Sequence, residues 1–283
     1  MNYGVVITGG SADEQLQTAL EAEKAGWDGV FLWEGIYSSD PYVTMGAIAA
    51  RTERIRMGTM LTPAPRRQPW KLASEMLSID QLSQGRAIVA LGLGATDFPG
   101  WRQIGAETDR KLRAERLDET IDILTNLWSG KASGYAGKHF PIDEFGGGPA
   151  SMQQPRIPIW VVGAWFSQKS MARAARCDGL LPHVLPPAGQ SEWGADDVRN
   201  ALTPELLRQM KAWIEQRRTL ATPFDIVIEG ETPGDDPAQT TAKLQPFQEA
   251  GVTWWIEARW SDDREGVLKR IRQGPPQQNP ARQ

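Results

Sequence analysis

The sequence predicts an α/β fold: a single (β/α)8 TIM barrel with an excursion between the fourth helix and the fifth strand. Three observations predict it. First, Ile55 to Gly94 reads as a complete βαβ unit. Its two strands are apolar on consecutive positions, as suits parallel strands covered on both faces. The helix between them carries Leu72, Met76, Ile79 and Leu82 at three- and four-residue spacing, a stripe that can dock on the strands. Second, the same alternation runs through the chain and yields eight strands and eight helices. Third, the 283 residues fit a fold that needs roughly 250. An open doubly wound sheet is the alternative, since it is built from the same units.

In chain order, Tyr3 to Ile7 is the first strand, closed by Thr8-Gly9-Gly10. Ser11 caps the next helix, and Glu14 three residues on completes a capping box. That helix buries Leu16, Ala19 and Leu20 and stops at Gly26. Gly29 to Trp33 is the second strand, followed by Glu34-Gly35. A helix from Pro41 to Arg51 starts on proline, where the missing N–H does no harm. Ile55 to Leu61 and Arg86 to Leu93 are strands three and four, joined by the helix Arg67 to Ser83. After a loop from Ala95 to Arg110, the helix Leu112 to Trp128 presents Leu117, Ile121, Leu124 and Trp128 on one face.

Ser129 to Pro158 is the excursion, rich in Gly and Pro, with one extended piece from Lys138 to Asp143. It reads as a small surface hairpin, and its length makes it a candidate lid. Pro158 to Val162 is strand five, and Ser167 to Arg176 a helix. Gly179 to Leu181 is strand six with Pro182-His183 at its end, and a loop then runs to about Thr203. Helix Pro204 to Arg217, strand Phe224 to Glu229, helix Pro237 to Ala250, strand Val252 to Ala258 and helix Asp263 to Arg272 finish the barrel. Residues 1–273 thus form one domain. The tail 274–283, GPPQQNPARQ, has no core residues and is expected to be disordered.

Composition narrows the function. Hydrophobic residues make up 40% and charged residues 23%, the balance of an ordinary globular chain. A net charge of -4 gives no electrostatic footprint for nucleic acid. Cys177 is the single cysteine, so no internal disulfide forms, which fits a reducing compartment. No apolar run is long enough for a membrane helix, and the first ten residues have no signal-peptide character, so the expected location is cytoplasmic. Twelve tryptophans, several at strand ends, point either to an aromatic-walled cavity or to a large core.

In such barrels the active site lies at the C-terminal ends of the strands. The candidates there are Thr8 and Gly9, Trp33 and Glu34, Thr62, Gly94 with Asp97, Gly163 to Ser167, Pro182-His183, Glu229, and Glu257 to Trp260. Glu34 follows an apolar strand, where desolvation would raise its pKa. It is either an acid/base or ring-binding group, or a solvated strand-end carboxylate. His183 either moves protons or is a loop histidine bonded to backbone. Gly163-Ala164-Trp165-Phe166-Ser167 ends a strand and opens a helix, and with Gln168 and Lys169 its N–H groups would bind a phosphate. The plain alternative is that Ser167 is only an N-cap. Arg66 and Arg67 are anion ligands or surface charge. Two histidines, one cysteine and no His-x-His or HExxH spacing argue against a transition metal. The Gly-x-Ser-x-Gly elbow and the P-loop are both missing.

Several stretches together resemble the bacterial luciferase-like flavin-dependent monooxygenase superfamily. They are residues 19–34 (ALEAEKAGWDGVFLWE), 40–61, 66–94, 116–130, 155–164 and 174–182, in the right order. The most specific is LSQGR, 82–86, followed by the Gly-x-Gly strand end at 92–94. The resemblance implies a (β/α)8 barrel that binds reduced FMN or, in a sister branch, the deazaflavin coenzyme F-420. FMN members receive the reduced flavin from a separate NAD(P)H flavin reductase and use oxygen on a small organic substrate. Deazaflavin members pass hydride without oxygen. Relatives commonly form homodimers. Thr62, and Gly94 with Asp97, are then expected as neighbours of the ring, and the anion site read from Gly163, Ala164, Trp165, Ser167 and Gln168 after strand five fits the phosphate of either cofactor. Many relatives carry an acid followed by His after strand two, whereas this chain reads Trp33-Glu34-Gly35. Glu34 and His183 are therefore the catalytic candidates. The leading expectation is a flavin-dependent monooxygenase that uses reduced FMN and oxygen on a small organic substrate; a deazaflavin-dependent reductase or dehydrogenase is the second reading, and a non-catalytic flavin-binding protein the third, which the absent histidine leaves open.

Overall fold

The computed structural model describes residues 1–94, 103–145, 147–186, 197 and 200–276. Asp97, most of the loop after His183 and all but the first three residues of the tail 274–283 lie outside the described residues.

The strands are β1 (Asn2–Ile7), β2 (Gly29–Leu32), β3 (Arg56–Thr59), β4 (Thr62–Pro63), β5 (Val89–Gly92), β6 (Ser133–Ala136), β7 (Pro141–Phe145), β8 (Ile159–Trp165), β9 (Gly179–Val184), β10 (Asp225–Gly230) and β11 (Trp254–Glu257). The helices are α1 (Ala12–Lys24), α2 (Pro41–Arg51), α3 (Pro69–Leu82), α4 (Arg110–Trp128), α5 (Gln168–Ala175), α6 (Pro204–Glu215), α7 (Pro237–Glu249) and α8 (Arg264–Arg272).

The nine-stranded sheet has the order β3-β2-β1-β11-β10-β9-β8-β5-β4, and all its pairings are parallel. β3 and β4 are two halves of the predicted third strand. The first half pairs with β2 and the second with β5. Met57 bridges to Ala87, and the Ile88 N–H donates to the Met57 carbonyl at 2.9 Å. These bonds close the ring into the eight-fold barrel, which removes the open-sheet alternative.

Each strand alternates between two cores. Val6, Phe31, Met60, Ile88, Ala90, Trp160, Val227, Trp254 and Ile256 fill the barrel interior, while Val5, Ile7, Val30, Leu32, Val89, Leu91, Val161 and Ile228 face the helices. The interior holds three aromatic rings: Phe31 lies 5.3 Å from Trp160 and 5.8 Å from Trp254 between centroids. Small residues on neighbouring strands make the room. A Cβ on Gly29 would sit 2.9 Å from Trp254, and one on Gly179 would sit 2.2 Å from Trp160. Trp128, Trp160, Trp254 and Trp255 are therefore core residues, not walls of a mouth cavity.

The Ser11–Glu14 capping box forms as predicted. Helix stripes shift by a residue in places. α1 buries Gln15, Thr18, Ala19 and Ala22, while Leu16 and Leu20 are only half-buried. Leu82 at the end of α3 is exposed. These side chains lie at the edge of their stripe, where apolar character alone does not fix orientation.

The excursion is a two-stranded antiparallel hairpin, β6–β7. The first of its strands, Ser-Gly-Tyr-Ala, has no apolar pattern to betray it. Glu119 of α4 grips the turn by accepting the N–H groups of Lys138 (2.9 Å), His139 (3.0 Å) and Phe140 (2.9 Å). His139 is fixed as well, with its Nε2 2.8 Å from Glu115. Farther along, Asp80 of α3 accepts from the Met152 N–H and the Gln153 side chain, so the return to β8 is tied down.

Candidate functional site

The C-terminal ends of β2 and β4 meet around one buried carboxylate. Glu34, just past β2, is 7% exposed. Its Oε1 accepts from Arg67 Nε at 3.0 Å, while Oε2 is buried with no hydrogen-bond partner. The same guanidinium reaches Glu75 at 3.1 Å and Asp40 at 3.5 Å. It also lies 4.1 Å from the centre of the Tyr42 ring. The Tyr42 hydroxyl bonds to Thr62 Oγ1, which lies 2.7 Å from Thr59 Oγ1. Sequence reasoning leaned toward surface charge for Arg67 and did not name Tyr42 or Thr59. The signal available was Arg66-Arg67 directly after a buried strand end and a Pro-Ala-Pro turn.

Burial pushes the Glu34 carboxyl above its ordinary value, opposed by Arg67, Arg66 and Thr62. For Arg67, burial disfavours the cation, but Tyr42, Glu34 and Glu75 together raise its pKa. Tyr42 is also raised, by burial first and then by the charge of Glu34. A group whose folded pKa is raised stabilises the fold below its unfolded value and loses that contribution as pH rises through the folded value. Glu34→Gln should therefore become more stable relative to wild type as pH climbs above the ordinary carboxylate range and through the raised folded value of Glu34. Urea unfolding across that range measures it, and a constant difference would show that burial does not act on Glu34.

The predicted phosphate segment is placed differently from its sequence reading. β8 runs on to Trp165 and β9 to Val184, so Ala164 pairs directly with His183 and Gly163 with Pro182. Glycine and proline looked like strand ends, yet both fit an edge-to-edge parallel ladder here. Gly163 is needed for packing: a Cβ there would sit 2.3 Å from Leu180 and 3.1 Å from Met171. Ser167 is the N-cap of α5 and accepts from Ser170 N–H. Its own N–H is engaged by the Ala164 carbonyl at 3.1 Å, so it is not a spare donor. Ser170 Oγ is used too, accepting from Ala164 N–H at 2.9 Å. That leaves the first-turn N–H groups of Gln168 and Lys169, which have no acceptor within a helix. Trp165 Nε1 is buried without a partner, and Phe166 stands 83% exposed at φ 67. A left-handed φ costs a bulky residue about 1–2 kcal/mol, so the rim holds an exposed aromatic in strained backbone.

His183 is half-buried. Burial, then the charge of Arg110, lowers its pKa from the usual histidine value, which leaves it neutral at pH 7. Thr62 is fully buried behind Glu34. Gly94 (φ 75) lets Arg113 and Pro63 approach: a Cβ would sit 2.8 Å from Pro63 and 2.9 Å from Arg113 Nη2. The other rim carboxylates are occupied. Glu257 accepts the Thr232 N–H (2.8 Å) and hydroxyl (2.7 Å), and Glu229 accepts from Trp260 Nε1 at 2.9 Å. Among the described residues no group of three His, Cys, Asp or Glu could hold a metal ion, and no helix is long and apolar enough to cross a membrane.

The buried, half-bonded Glu34 carboxylate and the unpartnered indole N–H of Trp165 thus stand at the C-terminal end of a closed (β/α)8 barrel. The chain belongs to the luciferase-like monooxygenase family, whose model matches residues 2–214. It is 29% identical to the oxygenase component of the flavin-dependent trigonelline monooxygenase of Acinetobacter baylyi, over 53% of this chain and 42% of that protein. It is also 29% identical to the F420-dependent glucose-6-phosphate dehydrogenase of Nakamurella multipartita, over 92% of this chain and 82% of that one. In several other matches the chain spans about half the length of the curated relative. An F420-dependent secondary alcohol dehydrogenase in complex with an F420-acetone adduct has the same fold, with a TM-score of 0.76 at 16% identity over 97% of this chain and 98% of that one.

Proposed function

We propose that the chain is a deazaflavin-dependent oxidoreductase that transfers hydride to or from a small organic substrate. The observation that carries this reading is Glu34 Oε2, a buried acceptor without a partner at the barrel's C-terminal end. A ring edge with an N–H complements it, and buried Trp165 Nε1 offers a donor for a carbonyl. When bound, the deazaflavin supplies the hydride position. Glu34 holds the ring edge or a proton at Oε2, and neutral His183 can take a proton from a substrate hydroxyl. Trp165 and Phe166, 5.6 Å apart, shield the mouth from water. The first-turn amides of Gln168 and Lys169, beside capping Ser167, would hold a phosphate.

The choice of deazaflavin over FMN is supported by the likeness to a glucose-6-phosphate dehydrogenase of that class along nearly the whole chain. A second reading, an FMN monooxygenase served by a separate NAD(P)H flavin reductase, has support from the trigonelline monooxygenase relative. Either reading carries with it a homodimer in the cytoplasm.

Spectroscopic titration with the deazaflavin and with oxidised and reduced FMN separates the two. Saturable deazaflavin binding, with FMN weaker by tenfold or more, is the expected result. Tighter reduced FMN with oxygen uptake would transfer the proposal to the second reading, and no binding of either would end both. Ser167→Asp should weaken cofactor binding by charge repulsion, and unchanged affinity would overturn the phosphate assignment.

A further inference from the structure

Three hydroxyl groups stand behind Glu34, and each has a single proton to give. They belong to Tyr42 in the first turn of α2, to Thr59 at the end of β3 and to Thr62 at the start of β4. None of the three residues is more than 5% exposed. The Thr59 hydroxyl lies 2.7 Å from Thr62 Oγ1 and 3.4 Å from the Ala90 carbonyl. The Tyr42 hydroxyl meets Thr62 Oγ1 and, among the described residues, no other acceptor. A buried proton left without an acceptor is costly, so Tyr42 donates to Thr62. The shorter contact assigns the Thr59 proton to Thr62 as well. Thr62 accepts both on its two lone pairs, and its own proton is left for Glu34. Hydrogen bonding by Thr62 is among the influences that hold the Glu34 carboxyl down against burial, which is the effect of a donor.

The bonds therefore run one way, from Tyr42 and Thr59 through Thr62 to the carboxylate. With every member buried, the chain ends inside the protein, so it can orient Glu34 but not carry a proton to water. Tyr42 reaches Glu34 by a second route as well. Its ring lies 4.1 Å from the Arg67 guanidinium, whose Nε holds Glu34 Oε1 at 3.0 Å. The backbone of Tyr42 is fixed too: its N–H donates to the N-cap Asp40 at 2.9 Å, and the same carboxylate lies 3.5 Å from Arg67. One aromatic residue on α2 thus links both supports of the carboxylate. Neither support occupies Oε2, which stays buried without a partner.

We propose that Tyr42 and Thr62 are positioning residues for Glu34, which hold its carboxylate so that Oε2 faces the ligand and selects a ring edge that donates a hydrogen bond over one that accepts. An edge that offers a carbonyl would leave two acceptors facing each other in a dry site, whereas an N–H there makes a charge-assisted bond. The inference rests on the reading of Glu34 as the group that meets the ligand, and two measurements keep the failure of one apart from the failure of the other.

The first measurement needs no flavin. Urea unfolding from acid to neutral pH compares each variant with the same variant carrying Glu34→Gln. Arg66, Arg67, Asp40 and Glu75, the charged groups around Glu34 among the described residues, then stand on both sides of the comparison and cancel. In the wild type the two curves diverge as pH rises through the raised folded value of Glu34, where its stabilising contribution is lost. Thr62→Val removes the donor to the carboxylate, and Tyr42→Phe removes the donor behind it. Both should carry the divergence to higher pH, Thr62→Val the farther, while Thr62→Ser keeps the hydroxyl and restores the wild-type profile. A side chain that only fills space lowers stability equally at every pH, so unshifted profiles in both Thr62→Val and Tyr42→Phe would overturn the proposal and leave the flavin reading standing. The second measurement is spectroscopic titration with the deazaflavin and with reduced FMN. Thr62→Val and Tyr42→Phe should bind the ring that the wild type binds about tenfold more weakly, the equivalent of one hydrogen bond, with Thr62→Ser close to wild type. Shifted pH profiles beside unchanged ring affinity would overturn the reading of Glu34 as the ligand's acceptor, and the selectivity with it.

Discussion

Replacing Arg67 by methionine is expected to destabilise the fold by about 3–5 kcal/mol, the cost of stripping one partner from a buried ion pair. The guanidinium is 18% exposed and Glu34 beside it 5%, so water replaces the lost cation only in part. An exposed pair would cost only about 0–1 kcal/mol, so the size of the effect separates the two cases. Glu34 would either carry its charge in a dry site or take up a proton as burial raises its pKa further, Glu75 and Asp40 would lose their shared partner, and the Tyr42 ring would lose its cation. The double variant Arg67→Met with Glu34→Gln removes the stranded charge and should recover ~1–3 kcal/mol of the loss, a coupling typical of residues in one network. Urea unfolding of the wild type, both single variants and the double variant closes the cycle. A loss below about 1 kcal/mol for Arg67→Met would place Arg67 with ordinary surface charges.

This cluster also shows where reading the sequence runs out. The barrel was legible because its evidence is repetitive. Buried parallel strands are apolar at every position, and caps such as Ser11 with Glu14 follow fixed spacing. Glu34 was legible because it directly follows an apolar strand. Arg67 was not, because its burial comes from contacts with residues 33 positions earlier and 8 later, and nothing in the local text separates a buried arginine from a solvated one. The Gly163–Trp165 and Pro182–Val184 ladder was hidden for a related reason. Glycine and proline mark strand ends on average, but Gly163 is there because Leu180 and Met171 fill the space of its missing Cβ. The tryptophans misled in the other direction. Their number suggested an aromatic mouth, whereas most of the buried ones serve the barrel interior and the helix layer, with Trp165 and Phe166 left at the rim.

Trp160 is one of the two tryptophans that fill that interior, and its truncation is the second large effect expected. The ring is fully buried, stacked 5.3 Å from Phe31 and set edge to face 5.5 Å from Trp254, and its Nε1 donates to Asp225 at 3.1 Å. Trp160→Ala should cost about 3–5 kcal/mol through lost burial and the void left behind. Trp160→Phe keeps most of the packing but strands one oxygen of Asp225, whose other oxygen still accepts from Thr253 at 2.8 Å; that should cost about 1–3 kcal/mol. The two losses have different pH dependence. Burial raises the Asp225 pKa, and the Trp160 bond opposes the rise. Without the bond the pKa climbs further, so the Trp160→Phe deficit should shrink below the ordinary carboxylate value and grow as pH rises through the folded pKa. Gly179 supplies the decisive control. A Cβ on Gly179 would lie 2.2 Å from Trp160 Cδ1, so Gly179→Ala must destabilise the wild type. In the Trp160→Ala background the same methyl enters the void, and its effect should vanish or change sign. A Gly179→Ala penalty equal in both backgrounds would show that the indole does not set the size of residue 179, and that the interior is packed otherwise than by large rings against small neighbours.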